Sequence, residues 1–190
     1  MEYAGYRQRA GGGLANVTYT TSPLPMLARY TAWANDLLCQ ALAELPDSEL
    51  LKKQKIVFGS ILRTLNHVCA MGLVWQAHLQ GRRHEFVSRN PGMCPPFAEL
   101  RAAQCVLDGW YVQYADDLGE AEMEMVDFEF IGGGSGRMSR SDIILHVINH
   151  ATYHRGHIGD MIYQIPAHPP TTDLPVYLRN SSRARALQFP

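Results

Sequence analysis

The chain has 190 residues, 46% of them hydrophobic, with 17 Lys and Arg against 18 Asp and Glu and a formal net charge of −1. That length buries a substantial core in one domain with short extensions, and the near balance of charge supplies no global field for nucleic acid or an anionic membrane surface. No stretch approaches the roughly 18 apolar residues of a membrane-spanning helix, and residues 1–22 contain no secretory hydrophobic run, so a soluble cytoplasmic protein is expected.

Residues 1–22, rich in Gly, Thr and Tyr, read as a flexible N-terminal extension. Over 24–45 the apolar positions Leu27, Tyr30, Ala34, Leu37, Ala41 and Leu45 follow the 3-and-4 spacing of an amphipathic helix, which Pro46 and Asp47 end. A second helix is expected over 56–80, with Ile61, Leu65, Val68, Gly72 and Trp75 on one face and Gly81 as its stop. Pro91, Gly92, Pro95 and Pro96 make residues 82–96 a long connection. A third helix follows over 97–118, carrying Leu100, Ala103, Leu107, Trp110 and Tyr114.

The period then changes. Val126, Phe128 and Phe130 alternate with acids and predict a short half-buried strand. The stretch GGGSGR at 132–137 reads as a flexible turn. It is not a phosphate loop, which needs Lys and Ser/Thr where Arg137 and Met138 stand. Nor is it a nucleophile elbow around Ser135, which needs Gly at 137. Ser139 with Asp142 resembles a capping box opening a helix over 139–165 that Pro166 stops. Residues 171–180 offer one more short helix with Thr172 or Asp173 near its start, and 181–190, with Arg183 and Arg185, form a solvated tail. Four long helices with a small β element and no internal repeat define an all-α class, a four-helix bundle over 23–180 with long crossover connections.

Cys39, Cys69, Cys94 and Cys105 contain no Cys-x-x-Cys pair, which argues against a thiolate zinc site. They read as buried or half-buried free thiols. Histidine carries the chemistry instead. His146, His150 and His154 are four residues apart, so each lies about 40° round and about 6 Å along from the last. His157 sits one turn beyond His154. One cation with nitrogen bonds of about 2.1 Å takes two imidazoles at such spacing but cannot reach all four, which leaves the pairs 146/150, 150/154 and 154/157 open. His67, flanked by apolar residues in TLNHVCAMGLVW, is the natural partner from a facing helix; His78 is about 16 Å further along that helix, and His84 and His168 fall in loops. Each histidine alone reads more simply as a satisfied core residue. Tyr153 lies about 100° from the neighbouring ligand candidates and reads as structural, and Arg155 as a partner for a carboxylate elsewhere in the bundle.

The run LHVINHATYHRGHIGDMIYQI resembles the final bundle helix of the DinB/YfiT-like family of metalloenzymes, whose signature is H-x-x-x-H followed by Arg-Gly. FGSILRTLNHVCAMGLVWQAHLQG is similar to that family's second helix, and TTDLPVYLR to its ending. The resemblance implies that His67, His150 and His154 are metal ligands. Relatives often carry an acid shortly after the second-helix histidine and a Gln after Arg-Gly; here Gly72 and His157 stand instead. His146 and His157 are the candidates for roles beside the ligands or on the substrate side.

Three imidazoles leave a divalent ion with an open position, as catalytic sites do. Zinc or nickel is expected first, with iron or manganese also suited to imidazole. Such an ion activates water for hydrolysis or a thiol for attack on an electrophile. The family resemblance implies the second: a transferase or isomerase using a low-molecular-weight thiol on a small-molecule substrate, in a homodimer. A metal-dependent hydrolase and a non-catalytic metal-binding stress-response protein are the alternatives. No nucleic acid and no membrane partner is expected.

Overall fold

A computed structural model describes residues 22–188, with side chains through residue 181. Its bundle consists of α1 (Leu24–Ala43), α3 (Ile61–Leu79), α4 (Phe97–Asp117) and α5 (Arg140–Tyr163). A short α2 (Asp47–Leu51) precedes α3, a 3-10 turn (Gly119–Met123) and the antiparallel hairpin β1 (Met125–Glu129) and β2 (Ser135–Ser139) link α4 to α5, and α6 (Leu174–Gln188) follows. Each long helix packs on two others, α1 and α3 both against α4 and α5. The centre is filled by Leu42, Ile61, Ile143, Ile144, Ile158, Met161 and Ile162, all buried.

Contacts along the helices fix their directions. Arg29 meets Asp116 at 2.6 Å and Asn35 meets Asp108 at 3.0 Å, so α1 and α4 are antiparallel. Cys94 Sγ, just before α4, lies 3.5 Å from the Leu62 carbonyl, and the Tyr111 hydroxyl donates to the Gly72 carbonyl at 2.8 Å, so the successive helices α3 and α4 run parallel. Parallel neighbours require a connection that travels back the whole length of the first helix, about 28 Å for the 19 residues of α3. Residues 80–96 make that return. It opens at Gly81, whose φ of 66° permits the left-handed turn in which Gly81 N–H reaches the His78 carbonyl and Arg82 N–H reaches the Ala77 carbonyl, both at 3.0 Å.

Local sequence accounts for the helix ends that matter most to the site. The Ser60 side chain accepts from Arg63 N–H at 3.3 Å and caps α3. Ser139 and Asp142 form the reciprocal capping box of α5. Gly72 has its own reason: a Cβ there would sit 2.7 Å from Leu107 Cδ2, so its absence lets α3 and α4 approach closely.

Several expectations are corrected. The second helix begins at Ile61 rather than near residue 56, because Gly59 with φ of 79° breaks the chain before the Ser60 cap. Pro46 and Asp47 end no continuous helix; α1 stops at Ala43 and Pro46 leads into α2. The buried face of α1 carries Leu24, Ala28, Thr31, Asn35, Leu38 and Leu42, whereas Leu27, Leu37 and Ala41 are only half-buried. That helix is apolar on most sides, so spacing alone does not fix its phase. Ala103 of α4 is exposed. The glycine stretch is a turn only at 132–134; Ser135–Ser139 is a strand paired with β1, and Phe130 lies beyond β1 and is 49% exposed. Gly136 belongs in that strand because a Cβ would meet the Phe128 ring at 2.5 Å. The last helix extends to Gln188, past the expected end near residue 180. The side chains of Arg183 and Arg185, and residues 1–21, lie outside the described part. All four cysteines are free, but Cys105 is exposed rather than half-buried. No helix among the described residues is long and apolar enough to cross a membrane.

Candidate metal centre

Because α3 and α5 are antiparallel neighbours, His67 in the first half of α3 faces His150 and His154 about the middle of α5. His150 Nε2 lies 3.1 Å from His67 Nε2 and 3.1 Å from His154 Nε2. One candidate ligand atom from each ring falls within 4.8 Å of the others, and the group can hold a metal ion. Two nitrogens bound at about 2.1 Å to one ion stand roughly 3–3.4 Å apart, which is the spacing seen at His150. Hydrogen bonding is a poor alternative explanation. An imidazole Nε2 holds either one proton or one in-plane lone pair, so at most one of the two contacts at His150 Nε2 is a linear hydrogen bond. A shared cation satisfies both.

Protonation points the same way. Burial pushes His150 down to about 3, aided by the neighbouring His154, His67 and His146. Burial likewise lowers His154 to about 4, with His67 and His157 adding to the effect. His67 is lowered by burial too, against the opposing pull of a hydrogen bond to the Arg89 carbonyl. All three are neutral near pH 7, the state in which imidazole binds metals. His67 Nδ1 is 2.6 Å from that carbonyl, so Nδ1 carries the proton and Nε2 keeps its lone pair turned toward the other two rings. Phe58 lies against His67 with ring centroids 4.0 Å apart and planes at 24°, and is 5.5 Å from His154, forming an apolar wall.

His146 and His157 flank the group without joining it. The His146 ring stacks 5.8 Å from His150 and 4.9 Å from Trp75, on an exposed position of α5. The His157 ring is 5.3 Å from His154, and the Tyr153 ring touches both, at 4.3 Å from His157 and 5.0 Å from His154. Tyr153 itself is 62% exposed. His78 and His84 meet each other at 5.3 Å at the far end of α3, away from the group. His168 packs beside Tyr163.

Arg155 is buried and does reach toward a carboxylate, but through an intermediary. Its Nη1 donates to Asn35 Oδ1 at 3.0 Å and its Nη2 to Thr152 Oγ1 at 2.8 Å, while the guanidinium lies over the Tyr30 ring. Asn35 Nδ2 in turn donates to both oxygens of Asp108 at 3.0 Å, and Gln104 donates to the same carboxylate at 2.8 Å. Burial pushes Asp108 up to about 6 despite those donors and the Arg155 charge. Two elements of this environment escaped the sequence reading. The Arg89 contact is a backbone carbonyl in an aperiodic connection and leaves no residue signature. Phe58 precedes α3, where helical periodicity cannot place it.

A four-helix bundle with a small hairpin before its last long helix carries, across α3 and α5, a three-histidine group that could hold a metal ion. The comparisons agree. The sequence profile of the DinB family matches residues 17–185, and the chain belongs to that family. It is 28% identical over 160 residues to Protein DinB of Bacillus subtilis (strain 168), covering 80% of this chain and 91% of that one. The fold is similar to the crystal structure of a DinB-like protein from Bacillus cereus ATCC 10987, with a TM-score of 0.58 at 16% identity, over 75% of this chain and 91% of that chain.

Proposed function

We propose that His67, His150 and His154 bind one divalent cation and that the protein is a metal-dependent enzyme, a transferase or isomerase that activates a low-molecular-weight thiol. The observation that carries this reading is the convergence of three neutral Nε2 atoms, two pairs of them at 3.1 Å, from two helices. Three nitrogen ligands complete only part of a zinc or nickel shell, and the remainder is where a substrate atom enters. A divalent ion held there would favour the thiolate over the thiol and so supply a nucleophile at neutral pH. The chain's own contribution is positional. Arg89's carbonyl holds the proton on His67 Nδ1, and Phe58 shields one side of the rings from water.

Elemental analysis of purified protein beside His67→Ala, His150→Ala and His154→Ala tests the ligand set, with loss of stoichiometric metal expected in each. The thiol reading is tested by loading Co2+, adding 2-mercaptoethanol and following the sulfur-to-cobalt charge-transfer band. A metal-loaded protein that shows no such band, yet hydrolyses activated esters, would replace the thiol reading with a hydrolytic one.

A further inference from the structure

The three-histidine group leaves a second pair of imidazoles unexplained. His78 stands in the last turn of α3 and His84 in the connection that follows, with the left-handed turn at Gly81 between them. The two rings meet with centroids 5.3 Å apart and planes at 86°. His78 Nε2 and His84 Nδ1 are both buried and neither has a hydrogen-bond partner, so these nitrogens do not bond to each other. The Glu129 carbonyl of β1 takes a hydrogen bond from His78. With Nε2 unpartnered, the bonded nitrogen is Nδ1. The proton sits there and Nε2 presents its lone pair, the same arrangement that the Arg89 carbonyl imposes on His67.

A buried nitrogen without a partner is costly, and two of them in adjacent rings point to something shared between them. Two imidazoles bound tetrahedrally to one ion, with nitrogen bonds of about 2.1 Å, hold their ring centres about 5 Å apart. This pair stands at 5.3 Å; the ring pairs of the three-histidine group stand at 5.0, 4.8 and 4.4 Å. Glu129 offers a third ligand. Its carboxylate is near enough to act on His78 electrostatically, its side chain is exposed, and it joins none of the ion pairs among the described residues. Aromatic rings pack on the pair: Trp75 and Phe128 lie 5.6 and 6.0 Å from His78, and Phe86 lies 6.3 Å from His84. None of these residues belongs to the three-histidine group, and His67 is about 16 Å back along α3.

We propose that His78 and His84 form a second metal site, completed by the Glu129 carboxylate and water, that takes a divalent cation with an affinity for imidazole such as Zn2+. Two nitrogens and one carboxylate suit zinc, copper or nickel rather than calcium or magnesium, which prefer oxygen throughout. The bound ion fastens three elements together: α3 through His78, the returning connection through His84 and β1 through Glu129. It thereby closes the first turn of the same connection whose Arg89 carbonyl orients His67. The site is independent of the catalytic reading above and stands or falls without it.

The test uses full-length protein carrying His67→Ala, His150→Ala and His154→Ala together, which removes the ligands of the first centre. Zn2+ binding is followed by isothermal titration calorimetry. One equivalent is expected, and further substitution of His78→Gln or His84→Gln should weaken it at least about tenfold, with Glu129→Gln weakening it less. Zn2+ should also slow tryptic cleavage after the exposed Arg82 and Arg83, which lie between the two histidines in the chain, and should cease to do so once either histidine is replaced. No binding to the triple variant, binding untouched by His78→Gln and His84→Gln combined, or cleavage that zinc does not slow overturns the proposal. If the triple variant fails to fold, the native protein decides through imidazole 15N spectra titrated with Zn2+. The His78 and His84 resonances should both move, and a shift in neither ring, or in only one, overturns the site. Native protein in which these two rings move while His67, His150 and His154 do not removes the catalytic metal reading and leaves this one standing.

Discussion

His150 is the ligand candidate on which the metal reading can be tested most severely, because among the three its Nε2 alone lies 3.1 Å from a nitrogen of each of the other rings. Binding of a structural-type zinc is worth on the order of 10 kcal/mol, so one of three imidazoles contributes about 3 kcal/mol, or ~100-fold in Kd. At a free metal concentration about 1,000 times the native Kd, the ion stabilises the folded protein by about 4 kcal/mol; for His150→Ala the same concentration is only about ten times Kd and gives about 1.4 kcal/mol. A chain of this size shifts about 2–4 °C per kcal/mol, which makes the metal-induced rise in Tm about 8–16 °C for the native protein and about 3–6 °C for the variant. In chelator the two should differ little. The half-buried ring loses packing, but its removal also relieves a nitrogen that has two partners at 3.1 Å and at most one linear hydrogen bond to make. Thermal melts with Zn2+ and with chelator measure both quantities. A full metal-induced shift in His150→Ala, or a loss equally large in His146→Ala, would refute the assignment.

Acid should destabilise the chelated protein through the imidazoles. His150 and His154 are lowered from 6.5 to about 3 and about 4, so the unfolded chain takes up protons that the folded one refuses, and stability present above about pH 6.5 is lost as pH falls toward 4. In His154→Gln the acid limb of a Tm-against-pH curve should be shallower, and an unchanged limb would contradict the cause given. Asp108 acts with the opposite sign. Its pKa is raised from 3.8 to about 6, so its contribution is present below about pH 4 and lost as pH rises through 6. The same scan on Asp108→Asn should show that part of the fall removed. Gly72→Ala should cost about 1–3 kcal/mol in urea unfolding, because its Cβ would intrude to 2.7 Å from Leu107 Cδ2; a neutral result would mean that α4 gives way easily there.

The sequence made the four long helices and the capping box of α5 legible, since both are written in local spacing and in side chains that bond within one turn. It placed α1's buried face only in part, with Tyr30 and Ala34 buried but Leu27, Leu37 and Ala41 half-buried, because Leu, Ala and aromatic residues recur on most sides of that helix and only tertiary packing chooses among them. β2 was hidden because Ser135, Gly136 and Ser139 have little intrinsic strand preference; pairing with β1 and the close approach of Phe128 make the strand. At the site, periodicity reduced the histidines of α5 to three pairs and could go no further. The choice of 150 and 154 needed either the family resemblance or the position of His67 on the facing helix, and the fold brings together the same three residues. The outer contacts were invisible for a different reason: a carbonyl carries no side-chain identity, and its delivery to His67 depends on the crossover path rather than on any motif.

That path and the buried arginine together explain why the three rings can converge at all. Residues 154 and 155 point about 100° apart on the helix, so when His154 faces α3, Arg155 is turned toward α1. Its bond to Asn35 of α1, with Asn35 tied to Asp108 of α4, sets the rotation of α5 about its own axis, while Thr152 of the same helix steadies the guanidinium. An apolar side chain at 155 could fill the same volume, yet it would tolerate a rotated helix, whereas directed hydrogen bonds to a buried cation do not; ionic groups of this kind serve register more than stability. On the opposite side, the Arg89 carbonyl fixes the ring of His67 independently of α5. The centre is thus oriented by two constraints that share no residue, one acting on each helix. Loss of either leaves the chain folded with its histidines present but no longer aimed at one point.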